Sequence, residues 1–270
     1  MKKAFVIITL LIAGNLSAQL QPVLKNRKGI AILPQAGDIG FGFSANPFLY
    51  YFGNILNGNT SNQSPNITYA APNQNIFFKY MKTNNLAYRG YFRIGLNSNT
   101  NNTNVADKTP GSQANAVVKD VQKTKNNIIG LGFGIEKRRG QTRVQGYYGG
   151  EFFINYNSGF DTKTKYGNSI QYEDTGVIRN TILNSASTFT IGVRGFAGVE
   201  YFIAPKISIG GELGYGPSFN FRSSNEITTE SYDFPSSTLT TTKVSTSPRS
   251  SGFSLDTDNY NGIIKLLFYF

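Results

Sequence analysis

The feature that most constrains this chain is a period of two in its apolar residues, repeated in eight separate segments. In 207–221 the odd positions are almost all apolar, whereas the even positions are small or polar. A β-strand that separates two unlike environments produces this alternation. The same pattern recurs around 38–44, 73–81, 86–97, 129–136, 144–156, 188–201 and 260–270. The sequence therefore predicts an all-β fold with eight strands.

The connections between these segments alternate in length. Short connections are expected at 82–85, 137–141 and 203–206. Long connections rich in Asn, Ser and Thr are expected at 45–72, 98–125, 157–187 and 222–259. Bacterial outer-membrane barrels have short periplasmic turns and long external loops, whereas a soluble sandwich has no reason to sort its loops by length. We predict an eight-stranded antiparallel transmembrane β-barrel over 38–270, with short periplasmic turns and four long external loops.

The first residues predict export. A basic start is followed by an apolar run over 4–13, and a polar stretch then ends in the small residue Ala18. This is the pattern of a secretory signal peptide, and the run is about half of the ~20 residues that a spanning helix needs. We expect cleavage between Ala18 and Gln19. The predicted organisation is a signal peptide at 1–18, a periplasmic segment at 19–37, and a barrel in the outer membrane.

The composition is consistent with a barrel and argues against a nucleic-acid partner. Glycine contributes 29 residues and aromatics 14%, while charged residues are only 15%, against the ~25% of ordinary soluble domains. The formal net charge of +11 could indicate nucleic-acid binding. Here the basic residues are scattered over strands and turns without a basic stripe or a recognisable motif, so we expect no nucleic-acid partner.

Missing residue types limit the chemistry. The chain has no histidine and no cysteine, which removes hydrolysis by a histidine base and metal sites built on those ligands. A carboxylate pair could act in acid–base catalysis, but Glu151 and Glu212 are better explained as partners of interior Arg and Lys. Asp256 and Asp258 could bind a hard cation, although such loop carboxylates more often only solubilise. We expect no catalytic, cofactor or metal site, and no enzymatic activity.

Charged residues on the polar faces of the strands predict a filled interior. In a membrane barrel the apolar face meets lipid and the opposite face lines the lumen. The predicted interior ion-pair network consists of Lys79, Arg89, Arg93, Glu136, Glu151, Arg194, Glu200, Glu212 and Lys265. An eight-stranded barrel is only wide enough for its side chains to fill, so we expect a plugged lumen. The alternative is that these charges form ordinary solvated faces of a soluble β-protein.

The last segment, 260–270, resembles the signal by which bacterial outer-membrane barrels are recognised by the barrel-assembly machinery. It alternates apolar residues and ends in Phe270, with Phe268 and Tyr260 at the other expected signal positions. The stretch 37–54 is similar to the opening of small outer-membrane β-barrel proteins of Bacteroidetes-type bacteria, a group with OmpA/OmpX-like barrels. Because the chain has no tryptophan, an interfacial girdle here would consist of Tyr and Phe.

Three functions are compatible with these observations. The first is a structural or surface-interaction protein, in which the barrel anchors external loops that bind an unknown extracellular ligand. The second is a small-solute, porin-like channel, which would need a wider barrel or a mobile plug. The third is a soluble secreted β-protein, distinguishable by whether it partitions into detergent. For the first two, the expected partners are outer-membrane lipid and the barrel-assembly machinery.

Overall fold

The computed structural model describes residues 23–45, 76–257 and 263–270. The predicted signal peptide at 1–18, its junction between Ala18 and Gln19, and Tyr260 lie outside the described residues. The same is true of Asp258 and of most of the long connection predicted at 45–72. No helix within the described ranges is long and apolar enough to cross a membrane.

The described residues form β-strands joined by turns, with one short 3-10 turn at Ile170–Tyr172. The strands are β1 (Ile39–Ser44), β2 (Ile76–Thr83), β3 (Leu86–Ala106), β4 (Val117–Arg139), β5 (Val144–Asn157), β6 (Asp161–Lys165), β7 (Ile178–Asn184), β8 (Thr188–Ala204), β9 (Ile207–Arg222), β10 (Glu226–Asp233), β11 (Thr238–Ser245), β12 (Ser250–Thr257) and β13 (Ile263–Tyr269). The all-β prediction is therefore confirmed.

Eight of these strands pair in a closed ring. The order is β1, β2, β3, β4, β5, β8, β9 and β13, and β13 returns to β1. Every neighbouring pair in the ring is antiparallel, and Phe41 is matched with Phe268 where the ring closes. These eight strands correspond to the eight segments predicted from the period of two. We call the end of the ring that carries the short connections 84–85, 140–143 and 205–206 the turn end.

The sequence predicted only one of the two strands that pair with the same edge of β9. β9 pairs with β13 through 207–212 and with β12 through 215–222. The strands β12 and β13 therefore follow one another along the same edge of β9. The apolar alternation missed β12 because its sequence, SSGFSLDT, places small and polar residues at most positions.

The prediction that 98–125, 157–187 and 222–259 are loops is wrong over much of their length. The outer halves of β3 and β4 extend beyond the ring as a long hairpin, and β4 passes from β5 to β6 as its partner. The strands β6, β7, β10 and β11 continue this sheet in that order. We call these four strands, together with the hairpin 97–126, the distal sheet. Threonine favours strands, but both faces of this sheet are largely polar, so apolar alternation does not reveal it.

The segment before the first strand packs against the ring over its described part. A turn at Asn26, whose side-chain oxygen accepts the N–H groups of Lys28 and Ile30, folds the chain back on itself. Ile32 then enters a buried cluster at the turn end of the ring. Its neighbours there are Phe77, Met81, Ala87, Phe202, Leu267 and Tyr269. The predicted periplasmic segment 19–37 thus contributes a side chain to the ring core.

The ring is narrow, and glycine lets its strands approach closely. A Cβ atom added at Gly149 would lie 1.9 Å from the carbonyl oxygen of Ile135 and 2.7 Å from Phe196. Because one of these is a backbone atom, a side chain at this position would push the strands apart. The interior is consequently filled by the large side chains of neighbouring positions.

Candidate functional site

The interior of the ring collects the charged side chains, because inward positions recur at every second residue of each strand. In β2 the buried residues Phe77, Lys79 and Met81 alternate with exposed ones. The same rule directs charged groups inward from β3, β4, β5, β8, β9 and β13. We call the following set the interior cluster: Lys79, Arg89, Arg93, Glu136, Arg138, Glu151, Arg194, Glu200, Glu212 and Lys265.

The half of the cluster nearer the turn end is built on two buried carboxylates, Glu136 and Glu200. Lys79 Nζ lies 2.9 Å from Glu136 Oε2 and 3.8 Å from Glu200 Oε1. Arg138 pairs with both, at 3.2 Å from its Nη1 to Glu136 Oε1 and through its Nη2 to Glu200. All four side chains are buried, so each charge depends on its partners.

Neutral groups complete the hydrogen bonding around Glu200. The hydroxyls of Ser208 and Tyr269 both donate to Glu200 Oε1, at 2.8 Å and 2.9 Å. Arg138 Nε donates to Gln145 Oε1 at 3.0 Å. Buried charges need this saturation, since an unsatisfied polar group in a low-dielectric interior is costly.

The other half of the cluster is built on Glu151 and Glu212. Glu212 accepts from Arg89 Nη1 at 2.7 Å, from Arg194 Nη2 at 2.6 Å and from Lys265 Nζ at 2.8 Å. Glu151 Oε1 accepts a hydrogen bond from Arg194 Nε at 3.0 Å, and Glu151 Oε2 forms an ion pair with Arg89 Nε at 2.9 Å. Both arginines therefore bridge the two carboxylates, which fixes strands β3, β5, β8, β9 and β13 relative to one another.

Arg89 connects the two halves, with its Nη1 3.5 Å from Glu136 Oε2. The structure thus joins eight of the nine sequence-predicted residues in one continuous set of ion pairs. It also places Arg93 in the interior, buried and four residues further along β3.

Sequence reasoning missed Arg138. It was assigned to the turn predicted at 137–141, whereas β4 continues to Arg139. The signal was present, because Arg138 is two residues after Glu136 and therefore has the same inward parity. With Arg138 included, the interior cluster contains six cations and four carboxylates, so positive charge is in excess.

Aromatic rings cover the cations. Lys79 Nζ lies 4.6 Å from the ring centroid of Tyr147, Lys265 Nζ 4.5 Å from that of Phe77, and Arg89 Cζ 4.0 Å from that of Phe196. Cation–π contacts of this kind stabilise desolvated cations. The arrangement holds charge in fixed pairs between aromatic rings, which is the chemistry of a packed, cross-linked core.

A second group of polar contacts lies outside the ring, on the distal sheet. Arg179 Nε lies 2.5 Å from Glu230 Oε1, and the Arg179 guanidinium lies 4.2 Å from the ring centroid of Tyr166. Lys108 pairs with Glu173, and this hydrogen bond raises the pKa of Lys108. Burial raises the pKa of Tyr166. These contacts order the connection between β6 and β7 against the sheet.

The proposed assembly signal stays a prediction. Phe270 is exposed, and its backbone N–H donates to the carbonyl of Ile39 at 2.9 Å. Phe268 faces outward beside Phe43, with ring centroids 6.2 Å apart.

No set of three or more potential metal-ligating side chains of the His, Cys, Asp or Glu type occurs within the described ranges. No protein-family model matches the chain, and a search of curated proteins found no match either.

Proposed function

We propose that the chain is an integral outer-membrane β-barrel with a sealed, charge-paired interior, which displays the distal sheet at the cell surface for interaction with an extracellular partner. The observation that carries this proposal is the inversion of the ring: a cluster of charged side chains is buried inside it, whereas most of its large apolar side chains point outward and are exposed. A soluble domain places these two classes the other way round.

The outward apolar side chains form a continuous belt around the ring. Its exposed members include Ile39, Ile94, Leu96, Phe133, Ile135, Val193, Val199, Leu213, Tyr215 and Phe219. Soluble monomers rarely expose a contiguous apolar surface of this extent. Near the turn end, closure of the ring pairs both edges of each of its strands, as placement of a sheet in lipid requires.

Aromatic residues at the distal border of this belt support the same reading. Tyr156, Phe189 and Phe221 are exposed near the ends of β5, β8 and β9, and Phe253 is exposed in the middle of β12. Girdles of aromatic residues flank the apolar band of outer-membrane barrels. In the absence of tryptophan, Tyr and Phe fill this role here.

The interior cluster favours an anchor over a channel. Eight strands enclose a lumen that side chains can fill, and here ion pairs cross it between opposite strands, as from Arg89 to Glu212. The distal sheet is the part that remains for recognition, because it extends beyond the ring on the side of the long connections. Binding residues concentrate on such extensions of a rigid scaffold.

The test is to refold the chain from Gln19 in neutral detergent and to compare the gel mobility of boiled and unboiled samples, together with single-channel recording in a planar bilayer. We expect a mobility shift and no steady conductance. A shift with steady conductance would replace the sealed interior by a pore, and a protein soluble without detergent and without a shift would refute the membrane assignment.

A substitution on β4 tests whether the belt is surrounded by lipid or by water. Phe133 has 67% of its surface exposed. If this surface faces lipid, Phe133→Arg should lower the free energy of unfolding from a bilayer by about 2–4 kcal/mol. In a soluble protein an exposed arginine would be nearly neutral. The measurement is urea unfolding in phosphatidylcholine vesicles.

Val117 provides the matched control for this substitution. It lies on the same strand, has the same parity and is 62% exposed, but it belongs to the distal sheet. We expect Val117→Arg to leave the unfolding midpoint unchanged. Equal effects of the two substitutions would contradict a membrane boundary between these positions.

A further inference from the structure

The outward face of β4 changes abruptly from apolar to cationic. The strand is uninterrupted and its register with β3 is regular, so residues of odd number share one face. Towards the turn end this face carries exposed apolar residues from Ile135 to Ile129. Beyond Asn127 it carries Lys125, Lys123 and Lys119, all exposed.

The neighbouring strand enlarges this cationic surface. In the pairing of β4 with β6, Lys123 is matched with Lys163, and Lys165 lies opposite Val121. Lys125 is matched with Asp161, the one acidic residue in these paired positions. We call Lys119, Lys123, Lys125, Lys163 and Lys165 the lysine patch.

The patch is unfavourable for the protein alone. Like charges directly opposite one another on adjacent strands destabilise a sheet, as Lys123 and Lys163 do here. Across the part of the chain that the structure describes, no ion pair involves a lysine of the patch. An external anion that bridges these ammonium groups would remove the repulsion.

The height of the patch above the apolar belt indicates where that anion lies. From Ile129 to Lys125 the strand advances about 13 Å at ~3.3 Å per residue. With a tilt of about 40° this corresponds to roughly 10 Å along the barrel axis. The patch therefore begins at the level where the polar headgroup region covers the hydrocarbon core.

We propose that the lysine patch binds the phosphate groups of lipopolysaccharide in the outer leaflet of the membrane. This inference rests on the proposed membrane location. The patch and the belt face the same direction, so if the belt lies in the membrane, the partner of the patch lies beside the barrel in the outer leaflet. Clustered lysines at a membrane surface attract anionic lipid, each with about a fivefold effect on affinity. Their aliphatic stems can also lie against the acyl chains while the ammonium groups reach the phosphates.

The experiment measures binding of lipopolysaccharide to the refolded protein in neutral detergent by native mass spectrometry. The variant is K119Q/K123Q/K163Q, which removes three charges that have no carboxylate opposite them. The control is K25Q/K28Q/K137Q, which removes three exposed lysines at the turn end. We expect at least tenfold weaker binding for the patch variant, a change below twofold for the control, and weak binding of dephosphorylated lipopolysaccharide to the unaltered protein.

The outcomes separate this inference from the membrane proposal. The unaltered protein and each variant are first tested for heat-modifiable mobility. If the unaltered protein shows no mobility shift, the membrane location itself is refuted. If mobility is preserved, equal binding by the patch and control variants overturns the inference. Binding of soluble polyphosphate as tight as that of lipopolysaccharide overturns it as well, since the partner would then be a soluble polyanion. Without lipopolysaccharide, a Lys163→Gln variant should have a urea unfolding midpoint equal to or higher than that of the unaltered protein, because the repulsion from Lys123 is relieved.

Discussion

Glu212→Gln is expected to destabilise the ring by about 3–5 kcal/mol, the range for removing one partner of a buried ion-pair network. Three cations converge on this carboxylate, from Arg89, Arg194 and Lys265, and its side chain is 3% exposed. The glutamine amide offers one acceptor oxygen and turns two N–H donors towards guanidinium and ammonium groups. Positive charge already exceeds negative charge in the interior cluster, so losing a carboxylate increases the imbalance.

The matched comparison is Lys265→Met, on the same ion pair. This change removes a cation from a cluster with excess positive charge and leaves Glu212 with both arginines. The methionine preserves most of the apolar volume, so we expect a cost of no more than about 1 kcal/mol. The double variant should be more stable than the sum of the single effects predicts, because Lys265 no longer lies unpaired beside the amide.

Urea unfolding in phosphatidylcholine vesicles, followed by circular dichroism and by the heat-modifiable band, measures these differences. The two single variants test the sign of the interior charge as well as its burial. A cost for Lys265→Met equal to that for Glu212→Gln would mean that the cluster is balanced rather than cationic. Negligible costs for both would mean that water reaches the interior freely and screens the pairs.

The ring was predictable because a strand with an apolar outer face and a charged, packed inner face carries a strong alternating signal. The segment 207–221 shows this at nearly every position, and it coincides with β9. The interior residues followed from parity alone, which is why eight of nine appear in the ion pairs. Arg138 was missed only because the turn was predicted to begin three residues too early.

The distal sheet and the N-terminal contact could not be predicted in the same way. Strand β11, with the sequence TLTTTKVS, is exposed along both faces, so hydropathy carries no information about its pairing. Its partners are fixed by backbone hydrogen bonds and register, which a single sequence does not encode visibly. Ile32 is one apolar residue in a short irregular segment, and its burial depends on a pocket assembled from four distant strands.

The ring should fold without the distal sheet. Register pairs mark where each connection can be cut: Asn97 lies opposite Asn126, Asn157 opposite Thr188, and Arg222 opposite Ser250. Replacing 98–125, 158–187 and 223–249 each by Asn-Gly, the preferred two-residue hairpin turn, should give a protein that still shows heat-modifiable mobility. Shorter loops cost less entropy to close, and this offsets part of the lost contacts. We therefore expect the free energy of unfolding to fall by no more than about 1–2 kcal/mol.

This shortened protein should at the same time lose recognition, because the replaced segments contain the whole lysine patch and the strands β6, β7, β10 and β11. Lipopolysaccharide binding is expected to fall at least tenfold, by the same reasoning as for the lysine variant. The three single replacements serve as controls, and only the two that remove lysines of the patch, 98–125 and 158–187, should weaken this binding. Failure of the shortened protein to fold, with each single replacement folding normally, would show that the distal sheet stabilises the ring and is more than a surface carried by it.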